Sequence, residues 1–161
     1  MKTQNVLLRV SIWIFISCGI WLIGLGGYFM FVRPPLLPED LRYLGSNAVQ
    51  VDVLLPHLAA WLRHVFRVMG GFIAGCGLLV VFVSVRVVPQ HLRDTGAVFC
   101  CVGLLSVATM SWTNFALNSD FKWLLLVPPV IWLLGLATYA AHYLMEPTVI
   151  AAARANADAL P

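Results

Sequence analysis

The side chains best placed to do chemistry are three on little more than one helical turn: Arg63, His64 and Arg67. Arg63 and Arg67, four residues apart, share a helix face, while His64 sits about 100° round from Arg63. Guanidinium groups offer several donors in a planar fork and an imidazole adds another, a set that suits a phosphate, another anion or a quinone carbonyl. The residues that follow carry no charge from Val68 to Val85. An arginine bordering such a run either extends its head to lipid headgroups or finds a partner inside the protein, because embedding an unpaired charge in hydrocarbon is costly. Partners of the right kind exist: Ser111, Thr113 and Asn114 lie toward the end of a later apolar run, and Glu39, Asp40 and Asp52 lie in the longest loop. The pattern therefore predicts a ligand-binding group of Arg63, His64, Arg67, Asn114, Glu39 and Asp40. In it Arg67, Asn114 and either Glu39 or Asp40 would close a polar pocket; this is the hypothesis set against the bland reading, in which the arginines simply extend to headgroups.

The other reactive side chains fit known chemistries poorly. Four-helix membrane cytochromes hold haem between pairs of histidines, but His64 falls near one end of its helix, His142 near the opposite end of another, and His91 in a turn beside Pro89. Small four-span exporters work around a carboxylate buried in mid-span, whereas Asp94, Asp120 and Glu146 sit at helix ends, Asp158 in the tail and the remaining acids in the loop. Cys18, Cys76, Cys100 and Cys101 all fall in apolar runs without C-x-x-C or zinc-type spacing, and read as small packing residues. No nucleophile stands at a fixed spacing from a base, and no phosphate loop is present. No catalytic residue, metal ligand or cofactor is assigned. The cations lie mostly at run ends, with Lys2 and Lys122 the only lysines, a distribution suited to headgroups and not to nucleic acid.

What must position the candidate group is a set of long apolar segments. The 161-residue chain is 61% hydrophobic and 11% charged, against about 25% charged in soluble domains. The apolar residues are gathered into four runs, which excludes a soluble core and points to an all-α polytopic membrane protein. One domain, residues 1–161, is expected, a bundle of four transmembrane helices at about 10–32, 66–88, 96–117 and 123–145, with a long first loop carrying a short interfacial helix and a tail from 147.

The first run stays uncharged from Val10 to Val32, longer than the roughly 7–15 residues of a signal peptide's apolar region, so it is expected to be retained as a span. Its glycines, Gly19, Gly24, Gly26 and Gly27, permit close approach of a neighbour. Arg33-Pro34-Pro35 ends it. Leu37 to Gly45 reads as the interfacial helical turn, with Pro38 early and Gly45 as the cap, while Asn47 to Leu55 is undecided between strand and loop. Pro56 is expected to open the second helix, whose arginines Arg67 and Arg86 are nineteen residues apart, about 28 Å. Gly71 and Gly75 form G-x-x-x-G, and Gly70, Ala74 and Gly77 continue a small-residue face; these five are assigned to helix packing. Pro128-Pro129 either starts the fourth helix or kinks it, and a kinked span from Trp123 is the expectation taken. Trp132, Gly135, Tyr139, His142 and Glu146 share one face, expected to meet the bundle. The alanine-rich stretch from Ala151 to Pro161 reads as frayed helix or a disordered end.

Four spans put both termini on one side, with Lys2, Arg9, Arg86, Arg93 and Arg154. The other side has Arg33, Arg42 and Lys122, or five cations if Arg63 and Arg67 count, so positive charge favours cytoplasmic termini by five to three or ties. The glycine-bearing first span, the Leu37-to-Gly45 loop, and Arg67-Val68-Met69-Gly70-Gly71 leading into Gly75-Cys76-Gly77-Leu78 resemble small four-span bacterial membrane proteins loosely grouped as DoxX-like. The resemblance covers roughly residues 5 to 145; it implies a bacterial inner-membrane four-helix bundle and brings no catalytic residue. The expected function is that of a structural, interaction or accessory membrane subunit, in contact with the lipid bilayer and with a membrane protein partner or its own copies. The alternative is a protein that binds or transports a lipid, a quinone or a small molecule at the polar ends of the second and third helices.

Overall fold

The computed structural model describes the backbone of residues 2–90 and 94–158 and the side chains of residues 6–90 and 94–145. Every regular element among the described residues is helical. In chain order these are α1 (Lys2–Phe31), α2 (Pro38–Leu44), α3 (Ala48–Leu54), α4 (Leu58–Arg86), α5 (Thr95–Gly103), a π-helical turn (Leu104–Ala108), α6 (Thr109–Ala116) and α7 (Val127–Asp158). Short 3₁₀ turns at Val88–Gln90 and Leu124–Leu126 complete the set. Four stretches are long and apolar enough to cross a membrane: Val6–Phe31, Leu58–Gln90, Thr95–Ala116 and Leu124–Met145.

α1 occupies the middle, with its longest interface against α4 and a second against α7; the third span packs on α7 through α5 and the π turn. The chain termini and residues 87–94 lie at one end, here the terminal end, and residues 32–57 and 117–123 at the other, the loop end. The α1–α4 seam is made by small residues. A Cβ on Gly70 would fall 2.6 Å from the Gly26 carbonyl oxygen, one on Gly77 2.6 Å from that of Gly19, and one on Gly26 2.7 Å from the Ala74 Cβ. Side chains at the seam would force the backbones apart. The structure thus places Gly70, Ala74 and Gly77 in the packing seam, while a Cβ on Gly71 or Gly75 would meet nothing within 4 Å. The G-x-x-x-G pair lies one residue, about 100°, further round α4 and faces away from the neighbouring helix.

Toward the terminal end the core is aromatic. Phe15, Phe99 and Trp132 stack with centroid separations of 4.1 Å (Phe15–Phe99), 5.4 Å (Phe15–Trp132) and 5.8 Å (Phe99–Trp132). The Trp132 indole donates to the Phe99 carbonyl at 2.9 Å, and its ring lies where a Cβ on Gly103 would have to go. Trp132, Gly135, Tyr139 and His142 are all buried, which puts their common face inward; the Glu146 side chain lies outside the described residues. Even so, only 22% to 33% of the positions in the most apolar stretch of each span are buried by the chain itself, so most of that surface is left for something else to cover.

Several local features differ from expectation. Asn47 to Leu55 is largely the helix α3: the Asn47 side chain accepts from the Gln50 amide at 2.9 Å and the Gln50 side chain accepts from the Asn47 amide at 3.3 Å. This reciprocal cap was present in the sequence as Asn-x-x-Gln. α4 starts at Leu58, two residues after Pro56. Pro128 and Pro129 lie in the first turn of α7, where no amide donor is needed, so the prolines start the helix and Leu124–Leu126 leads into it. α7 runs on through Pro147 to Asp158 as one helix, with residues 159–161 outside the described set. The turn expected at Pro89 and His91 is described only in part, residues 91–93 lying outside the described set.

Candidate functional site

The polar residues of the chain concentrate at the loop end, and α2 gathers them. α1 stops where Pro34 and Pro35 follow Arg33. α2 then begins at Pro38, its first turn held by Asp40, whose Oδ2 accepts the Leu37 amide at 2.9 Å. Gly45 closes it in the left-handed region, φ 61°, so that the Gly45 and Ser46 amides return to the Arg42 and Leu41 carbonyls. Asn118, at φ 49°, ends the third span in the same way: the Asn118 and Ser119 amides reach the Phe115 and Asn114 carbonyls.

These caps bring two loops together. The Ser119 hydroxyl donates to Glu39 Oε1 at 3.0 Å, and both residues are buried. Beside it, Arg42 reaches Asp120 at 2.8 Å in an exposed pair. The hydrogen bond from Arg42 to Asp120 and the charge of that carboxylate, with a smaller contribution from Glu39, raise the Arg42 guanidinium above its ordinary value. Arg33 is held more tightly. Its guanidinium carbon lies 3.8 Å from the centre of the Phe66 ring and 5.3 Å from that of Phe29, NH2 meets Asp40 Oδ2 at 3.3 Å, and NH1 donates to the Pro34 carbonyl at 3.1 Å. One side chain thereby ties α1, α2 and α4.

The residues predicted to form a pocket are distributed otherwise. Asp40 serves Arg33 and Glu39 serves Ser119, so neither loop acid pairs with Arg67. The Asn114 amide donates to the Met110 carbonyl at 2.9 Å on its own helix, and Thr113 does likewise to Thr109. Ser111 is buried beside them, and its hydroxyl makes no hydrogen bond among the described residues. Arg63, His64 and Arg67 are exposed on α4. The structure thus brings together Arg33 with Asp40 and Ser119 with Glu39, and it does not join Arg67, Asn114 and a loop carboxylate in one hydrogen-bonded group among the described residues.

Arg33, Ser119 and Asp120 are the residues whose part in the site sequence reasoning missed. Arg33 had a signal: it lies four residues after Phe29 on the same face and seven before the capping Asp40. Ser119 and Asp120 had none beyond membership of a turn.

Inside the spans several other hydroxyls are spent on backbone. Ser11 donates across to the Gly135 carbonyl at 3.0 Å, and Ser84 to its own helix at Val80, 2.6 Å. Around the π turn, Ser106 and Thr109 donate to the Val102 and Leu104 carbonyls, occupying acceptors that the wider turn disturbs. No three His, Cys, Asp or Glu side chains among the described residues converge on a common point. The arrangement can lock helices and loops; among the groups left facing outward are the cations of α4 and a broad apolar surface. Compared with protein-family models, curated proteins and solved structures, the chain finds no match.

Proposed function

We propose that this chain is an integral protein of a bacterial inner membrane, with four spans, cytoplasmic termini and a structural or accessory role carried by its lateral surface. The observation that supports this most is the contrast between spent polar groups and uncovered apolar ones. Ser11, Ser84 and Trp132 are committed to helix carbonyls, and Glu39 and Asp40 to Ser119 and Arg33, while large side chains such as Leu79, Leu105, Leu133 and Leu144 stand exposed along the spans. Such a surface suits lipid and protein neighbours. The resemblance to small DoxX-like four-span proteins points to the same compartment, and the cation count leans the same way.

The test is site-specific photo-crosslinking in living cells from Leu79 and Leu105, exposed positions on two different spans. One discrete protein adduct, reproducible from one face and missing from the other, is the expected result. Adducts to lipid alone from both positions would remove the accessory role. A second reading, binding of a lipid, quinone or other small molecule, is favoured by one observation: Arg63, His64 and Arg67 remain exposed and unpaired among the described residues.

A further inference from the structure

α3 turns apolar side chains outward. Val51 is buried, while Val49 and Val53, four residues apart and on the opposite side of the helix, are 73% and 75% exposed, and Leu54 beside them is 75% exposed. Gln50 does not break this face. Its Oε1 is turned back to the start of the helix, where it accepts from the Asn47 amide at 3.3 Å and from the Ser46 hydroxyl at 3.1 Å. Asp52, about 100° round from Val53, is exposed and takes part in neither ion pair of the described residues. The corner where α3 meets α4 carries the face on, for Leu54, Leu55, Pro56, His57, Leu58 and Trp61 line one hollow there. From Trp61 an exposed strip runs down α4 through Val65, Val68, Phe72 and Leu79, all within about 40° of Trp61 round the helix. Arg63 and Arg67 lie about 160° and 120° away from it, and His64 stands on its margin, about 60° off. The strip also climbs past the arginines: Trp61 is six residues, about 9 Å, nearer the loop end than Arg67. With Arg67 and Arg86 about one hydrocarbon thickness apart, that height is the headgroup layer, where tryptophan is favoured.

We infer that the corner of α3 and α4 is an interfacial anchor, with Val49, Val53, Leu54, Leu55 and Trp61 sunk in the headgroup layer of the loop-side leaflet and Asp52 facing water. The inference rests on the membrane reading and names the surface by which the long loop meets lipid. Continuity decides the occupant. The strip that lipid covers along α4 passes into the corner without a charged residue, so one leaflet reaches both, whereas a protein partner would have to displace lipid from the strip to reach Leu54. His57 and His64, at the margins, present an apolar ring with a polar tip, which suits the same layer. A helix placed in this way buries its apolar side about 5–10 Å into the boundary between headgroups and acyl chains.

The test places single cysteines by Val53→Cys, Asp52→Cys and Leu79→Cys in a full chain whose four native cysteines are replaced, labels each with bimane, and reconstitutes it in phosphatidylcholine vesicles containing nitroxide lipid. A nitroxide near the headgroup should quench the label at position 53 about twofold or more and leave the one at position 52 nearly unchanged, as immersion of one side of α3 requires. Val49→Cys, one turn earlier, should repeat the result at position 53. The label at position 79, twelve residues or about 18 Å below Arg67, should respond to a nitroxide at the methyl end of the acyl chain. Equal quenching at positions 52 and 53, or none at 49 and 53, overturns the proposal. So does a blue-shifted label at position 53 that no nitroxide reaches, the result that cover by a second copy would give. The label at position 79 separates the two failures: if no nitroxide quenches it, the membrane reading falls and the anchor with it, whereas quenching there without quenching at 53 sinks only the anchor.

Discussion

Arg33 shows how much one side chain can decide in a protein of this kind. A charge at the end of an apolar helix ordinarily reaches for water or headgroups; here the guanidinium lies over the Phe66 ring, within reach of Phe29, paired with Asp40, and its side chain is only 11% exposed. Removing it leaves Asp40 without its ion-pair partner and two rings without their cover. Arg33→Gln should therefore cost about 2 kcal/mol, the size of a charge-assisted hydrogen bond with a cation–π contact. Arg33→Lys should recover only part of it, since an ammonium keeps the charge and loses the planar stack. The exposed Arg42→Gln should hardly shift the transition. Thermal unfolding in detergent checks all three, and equal behaviour of Arg33→Gln and Arg42→Gln would reduce Arg33 to an ordinary headgroup anchor.

At the scale of elements, the α1–α4 seam separates glycines that space requires from glycines that it does not. Alanine is the better helix former by roughly 1 kcal/mol, so an unconstrained glycine gains from Gly→Ala. At Gly77 the new Cβ would lie 2.6 Å from the Gly19 carbonyl oxygen and 2.8 Å from the Ile23 amide, and neither backbone group can step aside without opening the seam. Gly77→Ala should destabilise by about 1–3 kcal/mol, the usual cost of overpacking. Gly71→Ala, with open space around it, should be neutral or slightly stabilising in the same unfolding assay. Destabilisation by Gly71→Ala of the same size would show a further partner on that face, held through the assay.

For the molecule as a whole, the proposed membrane reading requires four crossings, which would put the loop end and the terminal end on opposite sides of the membrane. Single cysteines at Ala48 and Gln90, both exposed, in a chain whose four native cysteines are replaced, should react with a membrane-impermeant maleimide from opposite sides. Gln90 should react only after the cells are opened, if the termini face the cytoplasm. Labelling of both from one side would contradict four crossings.

The sequence by itself determined that the chain has four long apolar helices, though not where each one ends: α7 starts at its prolines and runs on past Pro147 to Asp158. The four helices follow from quantities that do not depend on where other parts of the chain go: the rise per residue, the thickness of hydrocarbon and the loss of amide donors at proline. Local caps were equally legible where the residues that form them are neighbours, as Pro38 and Gly45 were; Asn47-x-x-Gln50 carried the same kind of signal and settles the segment that alternation left open. What only the tertiary structure decided was the choice among equivalent candidates. Gly70 and Gly71 differ by one step along the chain and by 100° in direction, and only the opposing glycines of α1 make the first of them the seam. Likewise, three loop acids stood within reach of several arginines. Charge attraction carries no memory of sequence order; in the fold Arg33 sits over Phe66 and near Phe29 and pairs with Asp40, while Arg67 faces outward.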